Sequence, residues 1–358
     1  MKTTLKTNKE QKSRSRVSRF AFRFLLLSFC LFVGLNCEKP MRRPIESPGE
    51  VSLRELVPQA TTIVQQGLAD ENPYVRSYAI EVVGMTKRIR LMPQVQRLLE
   101  NDSEPRVRFA AALAVGDTEY LLAESSLRPL LKHRDENLKI AGAYALNKVG
   151  AMDKADTFNL LRKAIAGDDQ LLRANAALLL GKTGDKEALK LLYVALQRRD
   201  SDDNVGMQAV ESIAMLGDDR IFTARLWPMV ISTYADDRIM GIRGMGTLGT
   251  AKAREVLITK LDDDDVLAVR LAAAEQLGVL GDTTGEHEVL DVFQKNLTAG
   301  LNVQEATHIN WLVARAIGQI GTPRLAKFLP LFLRNESKIV RIAAAKAVFQ
   351  LTMREMPD

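Results

Sequence analysis

One arrangement of apolar and small residues recurs nine times along the chain, and each copy has one position that serves as its anchor. The gaps between successive anchors are 32, 31, 34, 33, 35, 29, 40 and 31 residues. The anchors are Arg76, Arg108, Lys139, Arg173, Gly206, Gly241, Arg270, Asn310 and Arg341. Self-similarity at this period is typical of a solenoid built from repeated supersecondary units.

Three rows of residues give each copy one buried face. The residue before the anchor is apolar in all nine copies, and so is the residue seven after it. The residue three after the anchor is small in every copy except the eighth, where it is Val313. Spacings of four place the rows on one face of a helix, and the small middle residue lets a neighbouring helix approach closely. The pattern therefore predicts an inner helix in each copy and a core that continues from repeat to repeat.

A second set of helices is predicted between the copies, so that each repeat is a helical hairpin. The first of these outer helices is predicted from about Val51 to Leu68. Asn72, and the aspartates near the start of other inner helices, are expected to cap those helices by accepting hydrogen bonds from free backbone N–H groups. The aspartates are Asp135, Asp169, Asp202 and Asp237. Residues 51–358 are thus predicted to form an all-α solenoid of about nine hairpins.

Glycines between each inner helix and the next outer helix are expected to end the inner helices, because glycine adopts the left-handed conformation of a helix C-terminus without strain. They are Gly84, Gly116, Gly150, Gly184, Gly217, Gly249, Gly281 and Gly321.

The copies share a string of the form Val-Arg-x-x-Ala-Ala-x-x-Leu-Gly, which is clearest at residues 107–116, 172–181 and 269–278. This string resembles the HEAT-repeat family, in particular the short PBS-lyase HEAT-like repeats, over roughly residues 51–352. The resemblance implies that each basic anchor pairs with an acidic turn residue of a neighbouring repeat. Such a ladder would include Arg76, Arg108, Lys139, Arg173, Arg270 and Arg341, and it would lapse at Gly206, Gly241 and Asn310.

The net charge of +6 comes from the amino terminus. Residues 1–36 contain eight basic residues and one acid, so the rest of the chain carries a net charge of −1. A protein that binds nucleic acid through its phosphates needs a surplus of lysine and arginine. The charge of the repeats therefore argues against a nucleic-acid partner.

Residues 1–36 have the features of a signal peptide, with a basic region up to Arg23 followed by 13 mostly apolar residues. A segment this short suits a signal peptide better than a bilayer span. Its position directly before Cys37 resembles a bacterial lipoprotein signal, which implies that Cys37 is lipidated and becomes the mature amino terminus. An uncleaved signal anchor is the alternative interpretation.

Residues 37–50 are predicted to be a tether between the lipidated Cys37 and the solenoid, because Pro40, Pro44 and Pro48 disfavour helix. The resemblance to lipoproteins implies a membrane-anchored, extracytoplasmic protein on the periplasmic or cell-surface side. The cysteines are Cys30 and Cys37, so the solenoid itself has no thiol for a disulfide, a metal site or a nucleophile.

Three short patterns could carry chemistry, and a structural explanation is favoured for each. Residues 244–249 match a dinucleotide fingerprint, but that motif needs a preceding strand, and Gly244 falls on a core row. Residues 200–211 imitate a calcium loop without its central glycine. His287-Glu288 is a single pair, whereas the HEAT-type deoxyhypusine hydroxylases use several His-Glu pairs. No cofactor and no metal is predicted.

The inner-helix surface is the predicted site of function. Positions one and five after the anchor point away from the core, and Tyr144, Met207, Trp311 and Arg315 at these positions are candidates for binding a protein or peptide partner. The sequence therefore predicts a membrane-tethered scaffold without enzyme activity. The alternative is a lyase-type or metal-dependent enzyme built on HEAT-like repeats.

Overall fold

The computed structural model describes residues 43–46, 49–50 and 52–355. The predicted signal peptide at residues 1–36 and the proposed lipidation site Cys37 lie outside these residues. The described residues are helical or lie in turns and irregular segments, and no strand occurs among them. The all-α fold predicted from the sequence is confirmed.

Paired helices follow one another along the described chain. The helices are α1 (Leu53–Leu68), α2 (Pro73–Met85), α3 (Met92–Asn101), α4 (Pro105–Asp117), α5 (Glu124–Leu127), α6 (Glu136–Lys148), α7 (Lys154–Ala166), α8 (Gln170–Lys182), α9 (Ala188–Gln197), α10 (Asp203–Met215), α11 (Trp227–Val230), α12 (Ala235–Leu248), α13 (Ala251–Asp263), α14 (Leu267–Val279), α15 (Glu286–Gln294), α16 (Val303–Ile320), α17 (Pro323–Ala326), α18 (Leu329–Leu333) and α19 (Lys338–Glu355). The inner helices are the even-numbered ones up to α16, together with α19.

The predicted core rows are buried. Every residue three or seven positions after a predicted anchor is buried, including Val313 and the small residues of the middle row. The row before the anchors is buried too, except that Leu172 and Met240 are only half-buried. Burial of apolar surface is the main force that holds such an array together, so this continuous stripe fixes the stacking of one repeat on the next.

Most inner helices begin as the sequence predicts. The side chain of Asn72 accepts from the backbone N–H of Tyr74, and Asp135, Asp169 and Asp202 cap α6, α8 and α10 in the same way. The prediction for Asp237 is wrong, because α12 begins at Ala235 and Asp237 lies in its first turn, where it accepts from the Ser232 hydroxyl at 2.7 Å.

Six of the eight predicted glycines adopt the left-handed conformation, and Gly84 and Gly116 do not. Both lie inside helices, where a Cβ on Gly84 would be 3.2 Å from Ala114 and one on Gly116 would be 3.0 Å from the Tyr144 ring. Three residues later, Lys87 and Glu119 take the left-handed conformation with φ of 46° and 51°. These two glycines therefore serve close packing between inner helices rather than helix termination.

The anchors form an interrupted ladder of ion pairs to the next repeat. Arg76 donates to both carboxylate oxygens of Asp102, at 2.7 and 2.8 Å. Arg173 reaches Asp200 at 3.2 Å, and Arg270 reaches Glu288 at 2.9 Å. At Arg76 and Arg173 the expected pairing is confirmed, whereas the acidic partner of Arg270 lies within α15 rather than in a turn.

The expected pairing is wrong at the other three basic anchors. Arg108 donates to the carbonyl oxygen of Leu99 at 3.0 Å, and Arg341 donates to that of Asn335 at 2.7 Å. Lys139 pairs with Glu136 of its own helix. Because a guanidinium carries several donors, backbone carbonyls at the hairpin turn can satisfy it as well as a carboxylate can.

In repeat six the anchor lies three residues earlier in the sequence than the sequence pattern indicates. Arg238, not Gly241, occupies the anchor site, because it donates to the Ser232 carbonyl at 3.1 Å and to Asp264 at 2.9 Å. With Arg238 as the anchor, the irregular gaps of 35 and 29 residues both become 32. The two alignments were hard to separate because each places a glycine on the small row, Gly241 in one and Gly244 in the other.

Prolines interrupt two segments of the outer layer. Ser126 to Leu131 is split between α5 and a 3-10 turn that contains Pro129, and Ala224 to Tyr234 is split between a π turn and α11 at Pro228. Proline cannot donate the backbone hydrogen bond that a helix interior requires. The irregularity is thereby confined to the outer layer.

The last inner helix, α19, packs against the first hairpin. Lys338 of α19 pairs with Asp70 at 2.7 Å, and the Arg88 guanidinium lies 4.0 Å from the centre of the Phe349 ring. Gly67 of α1 makes room for Ile342, whose Cδ1 would be 2.9 Å from a Cβ at that position. The first and last repeats are therefore neighbours, and the described repeats form a closed ring.

A short part of the predicted tether contacts repeat eight. The backbone N–H of Ile45 donates to the carbonyl of Phe293 at 2.9 Å, and the Asn296 side chain donates to the carbonyl of Arg43 at 3.0 Å. Residues 43–46 have no regular secondary structure, which agrees with the absence of helix expected from the prolines.

The closed ring predicts one specific crosslink. A carbodiimide, which joins amines to carboxylates in direct contact, should link Lys338 to Asp70 within a monomer, because these side chains are 2.7 Å apart. Lys154 and Asp185, 2.9 Å apart in adjacent repeats, give the control crosslink that an open array would also show. The test is mass spectrometry of peptides from the monomer fraction. Recovery of the control crosslink alone would contradict ring closure.

Candidate functional site

Six inward-facing side chains from five inner helices meet inside the ring. This central cluster consists of Tyr78 of α2, Arg243 of α12, Glu275 of α14, Trp311 and Arg315 of α16, and Lys346 of α19. The indole N–H of Trp311 donates to the Tyr78 hydroxyl at 3.2 Å. That bond joins repeats eight and one past the intervening repeat nine, so the cluster depends on ring closure.

Two guanidinium groups lie over the Trp311 ring. The Arg315 guanidinium carbon is 4.5 Å from the centre of the Trp311 ring, and that of Arg243 is 5.5 Å from it. A cation over an indole face is attracted by the negative potential of the ring, most strongly where water is excluded. These contacts hold the Trp311 side chain in position, and the side chain remains partly exposed to solvent.

Glu275 holds Arg315 in place. The Nε and one terminal nitrogen of Arg315 donate to the same Glu275 oxygen at 2.9 and 2.6 Å, and the two side chains are 19% and 3% exposed. Burial alone would disfavour the charged guanidinium, but the attraction and hydrogen bonds of Glu275 outweigh it and raise the pKa of Arg315. The other oxygen of Glu275 is buried and has no hydrogen-bond partner among the described residues.

Burial lowers the pKa values of the two remaining cations. For Arg243, repulsion by Arg315 adds to the effect of burial, and its Nε finds no hydrogen-bond partner in the described structure. For Lys346, burial acts against the attraction of Glu81, and the contact found for its ammonium is the Met85 sulfur at 3.2 Å. The cluster thus contains cations that its own carboxylate does not neutralise.

Burial also raises the pKa of Tyr78 to about 12, so its hydroxyl stays protonated at neutral pH. Glu81 of α2 and Glu211 of α10 lie at the exposed edge of the cluster. Their charges act on Lys346 and Arg243 respectively, although neither forms an ion pair with them in the described structure.

Trp311 and Arg315, two of the four predicted partner-binding residues, are in the central cluster. Tyr144 is 2% exposed, because it packs on Gly116 and donates its hydroxyl to Asp117 at 2.8 Å. Burial also raises the pKa of Tyr144. Tyr144 therefore offers no open surface to a partner. Met207 is half-buried on α10 and stays a candidate outside the cluster.

Sequence reasoning missed Arg243 because of the alignment of repeat six. With Arg238 as the anchor, Arg243 is five positions further on, the position that carries a charged residue in repeats five to nine and one. These residues are Glu211, Arg243, Glu275, Arg315, Lys346 and Glu81. In repeats two to four the same position is apolar, with Leu113, Tyr144 and Leu178. This position on the inner surface is therefore charged in six repeats and apolar in three.

The three patterns that could have carried chemistry have structural roles. Gly244 and Gly246 lie within α12 and admit Leu226 and Gln276. Asp202 caps α10, and Asp200 pairs with Arg173 and Arg198. Among the described residues, no group of three or more His, Cys, Asp or Glu side chains is placed to hold a metal ion. Likewise, no helix of the described part is long and apolar enough to cross a membrane.

Comparison with known proteins supports the repeat assignment. A family model for HEAT repeats matches residues 61–146 and 158–236. The phycocyanobilin lyase subunit alpha of Nostoc sp. is 32% identical over 113 residues, which are 31% of this chain and 41% of that protein. The chain therefore matches less than half the length of this relative.

Solved structures of low sequence identity are also similar. The complex of CpcE and CpcF of phycocyanin lyase from Nostoc sp. gives a TM-score of 0.41 at 16% identity, and the match covers 72% of this chain and 98% of that one. Human deoxyhypusine hydroxylase in complex with glycerol gives a TM-score of 0.35 at 16% identity, covering 75% and 99%.

Proposed function

We propose that this chain is a membrane-tethered scaffold that binds a protein or peptide on its inner-helix surface. The observation that carries the proposal is Trp311, a partly exposed indole in contact with the guanidinium groups of Arg243 and Arg315. Tryptophan and arginine dominate the binding energy of protein interfaces when they lie at a protected centre. The central cluster places both residue types together inside the ring.

The cluster is also ordered before any partner arrives. Tyr78 fixes the Trp311 indole, and Glu275 fixes Arg315 with two hydrogen bonds. Immobilising a flexible side chain on binding costs about 0.5–1.5 kcal/mol. A site whose side chains are already held avoids much of this cost, so binding there gains affinity without additional contacts.

The binding test compares two tryptophans. Trp311→Ala should reduce recovery of a crosslinked partner from the native membrane about 30-fold or more, since loss of an interface hot spot costs at least about 2 kcal/mol. Trp227→Ala is the matched control, because Trp227 is 44% exposed on α11, outside the cluster. The readout is quantitative mass spectrometry of crosslinked material, with thermal melting to show that both variants fold. Equal recovery with both variants would count against this site.

Membrane attachment through Cys37 is a separate part of the proposal, and it is supported by the signal-like residues 1–36 directly before that cysteine. Cys37→Ser should move the protein from the membrane fraction to the soluble fraction or leave its signal unprocessed. Fractionation and the mass of the mature amino terminus measure this. Attachment that is unchanged in the variant, with an uncleaved amino terminus in both the variant and the natural protein, would reject the lipid anchor and favour a signal anchor.

A bilin lyase function is the second candidate, supported by the 32% identity with the phycocyanobilin lyase subunit alpha. If it is correct, phycocyanobilin mixed with the purified chain should remain bound through gel filtration and change its visible absorbance. A chromophore that elutes free would remove the support for this candidate.

A further inference from the structure

Two cations inside the ring have no carboxylate partner. Arg315 is committed to Glu275, and among the described residues no carboxylate forms an ion pair with Arg243 or Lys346. Lys346 is only 4% exposed. Removing a charge from water without pairing it is costly, and a ligand of opposite charge would repay that cost. The unpaired cations therefore favour an anionic group at this place.

Glu275 narrows the chemistry of that ligand. Its second carboxylate oxygen is buried and has no hydrogen-bond partner among the described residues. Glu275 as a whole residue is 2% exposed. A buried acceptor needs a donor, and an N–H group of a ligand would supply one. Free phosphate at neutral pH carries one or two negative charges on one small group, and it has no apolar part whose burial would offset the repulsion by Glu275. A peptide supplies a carboxylate and N–H donors in one molecule.

The acidic residues at the edge of the cluster do not cancel the attraction of the two cations for an anionic ligand. Glu81 faces Lys346 from α2, and Glu211 faces Arg243 from α10. Both are exposed, so water and salt screen their charges. Met85, whose sulfur contacts the Lys346 ammonium, is 54% exposed, so a flexible side chain at the surface lies next to this cation.

The apolar part of the inner surface, in repeats two to four, provides contacts for apolar residues of a peptide. Leu113 and Leu178 occupy the position that carries charges in the other repeats, and both are half-buried. A segment that enters the ring would thus meet cations and Trp311 on one side and leucines on the other. This arrangement matches a peptide in which acidic and apolar residues are neighbours.

We propose that the centre of the ring binds an acidic peptide segment, whose carboxylate is attracted by Arg243 and Lys346 while its backbone N–H donates to Glu275. Apolar residues beside the acidic one pack on Trp311. The inference rests on the proposed binding function and names the chemistry of the partner.

The test uses Trp311 as its own reporter. The chain has two tryptophans, so Trp227→Phe leaves Trp311 as the single fluorophore. The full chain in mild detergent is titrated with a pool of blocked pentapeptides that have a central Glu and randomised flanks, then with matching pools that have a central Gln or Lys, and then with inorganic phosphate. The Glu pool should change the Trp311 emission saturably, and the other three probes should not.

Two charge-removing variants locate the site. Arg243→Met and Lys346→Met should each weaken binding of the Glu pool about 30-fold or more, because each removes a positive charge that attracts the peptide carboxylate inside the protein. Both should fold, since an apolar residue of similar length replaces a buried, unpaired charge. Arg254→Met is the control, because Arg254 pairs with Asp282 at an exposed position outside the cluster.

Several results would overturn the inference: no response to the Glu pool, equal responses to the Glu and Gln pools, tight binding of phosphate, or unchanged binding in both cluster variants. Any of these could occur while the Trp311-dependent partner is still recovered from membranes, and then the scaffold function would stand without the acidic peptide. Binding of the Glu pool without recovery of a cellular partner would separate the two proposals in the opposite direction.

Discussion

Replacing Arg315 with alanine is expected to lower the free energy of unfolding by about 3–5 kcal/mol. The reason is Glu275, which is 3% exposed as a side chain and receives two hydrogen bonds from Arg315. Without Arg315, the Glu275 carboxylate would remain buried and would lose both of these hydrogen bonds and the positive charge that stabilises it. The midpoint of urea unfolding, followed by circular dichroism, measures the loss.

A double variant separates the cost of an orphaned charge from the value of the pair. In Glu275→Leu with Arg315→Met, both charges are replaced by apolar groups of similar size, so most of the stability should return. Partner binding should stay weak, because the second cation beside Trp311 is gone. If the double variant is as unstable as Arg315→Ala, then packing rather than the unpaired charge accounts for the effect.

Gly278→Ala should destabilise the protein by about 1–3 kcal/mol, because it inserts a methyl group where there is no room. A Cβ at Gly278 would be 2.6 Å from the backbone nitrogen of Ile320 and 2.7 Å from the carbonyl carbon of Gln319. These are backbone atoms, so no side-chain rotation can relieve the contact, and α14 and α16 would have to separate.

Gly206→Ala is the matched control for this prediction and should have the opposite sign. Gly206 lies within α10, and a Cβ there would meet no atom within 4 Å. Alanine in a helix interior is favoured over glycine by about 0.5–1 kcal/mol, so this variant should be more stable than the natural protein. If Gly278→Ala leaves the free energy of unfolding unchanged while Gly206→Ala raises it, then α14 and α16 can move apart at little cost, which contradicts the prediction.

The features that could be predicted from the sequence are those set by neighbouring residues. The rows around each anchor are separated by three or four residues, so one helix turn decides which side chains are buried, and the sequence shows it directly. The capping of α2 by Asn72 is equally local, because its acceptor and the Tyr74 N–H are two residues apart. These predictions hold across repeats of unequal length.

Ring closure could not be predicted in this way. It depends on the small rotation between each repeat and the next, added over all the interfaces, and no periodicity records that angle. For this reason Trp311 and Arg315 could be selected as candidates on their own repeat, but Tyr78, 233 residues away from Trp311, could not be placed beside them. Arg243 was not predicted as a site residue for another reason, which is the three-residue shift of the anchor in repeat six.

Closure also changes what the ends of the array have to do. Open solenoids usually require dedicated terminal repeats with a polar outer face, since an uncovered end exposes the apolar stripe and starts to fray. Here α1 and α19 cover each other through contacts such as Gly67 with Ile342 and Asp70 with Lys338. Within residues 52–355 the two terminal hairpins therefore cover each other's stacking surface, and they should exchange their amide hydrogens as slowly as the hairpins in the middle.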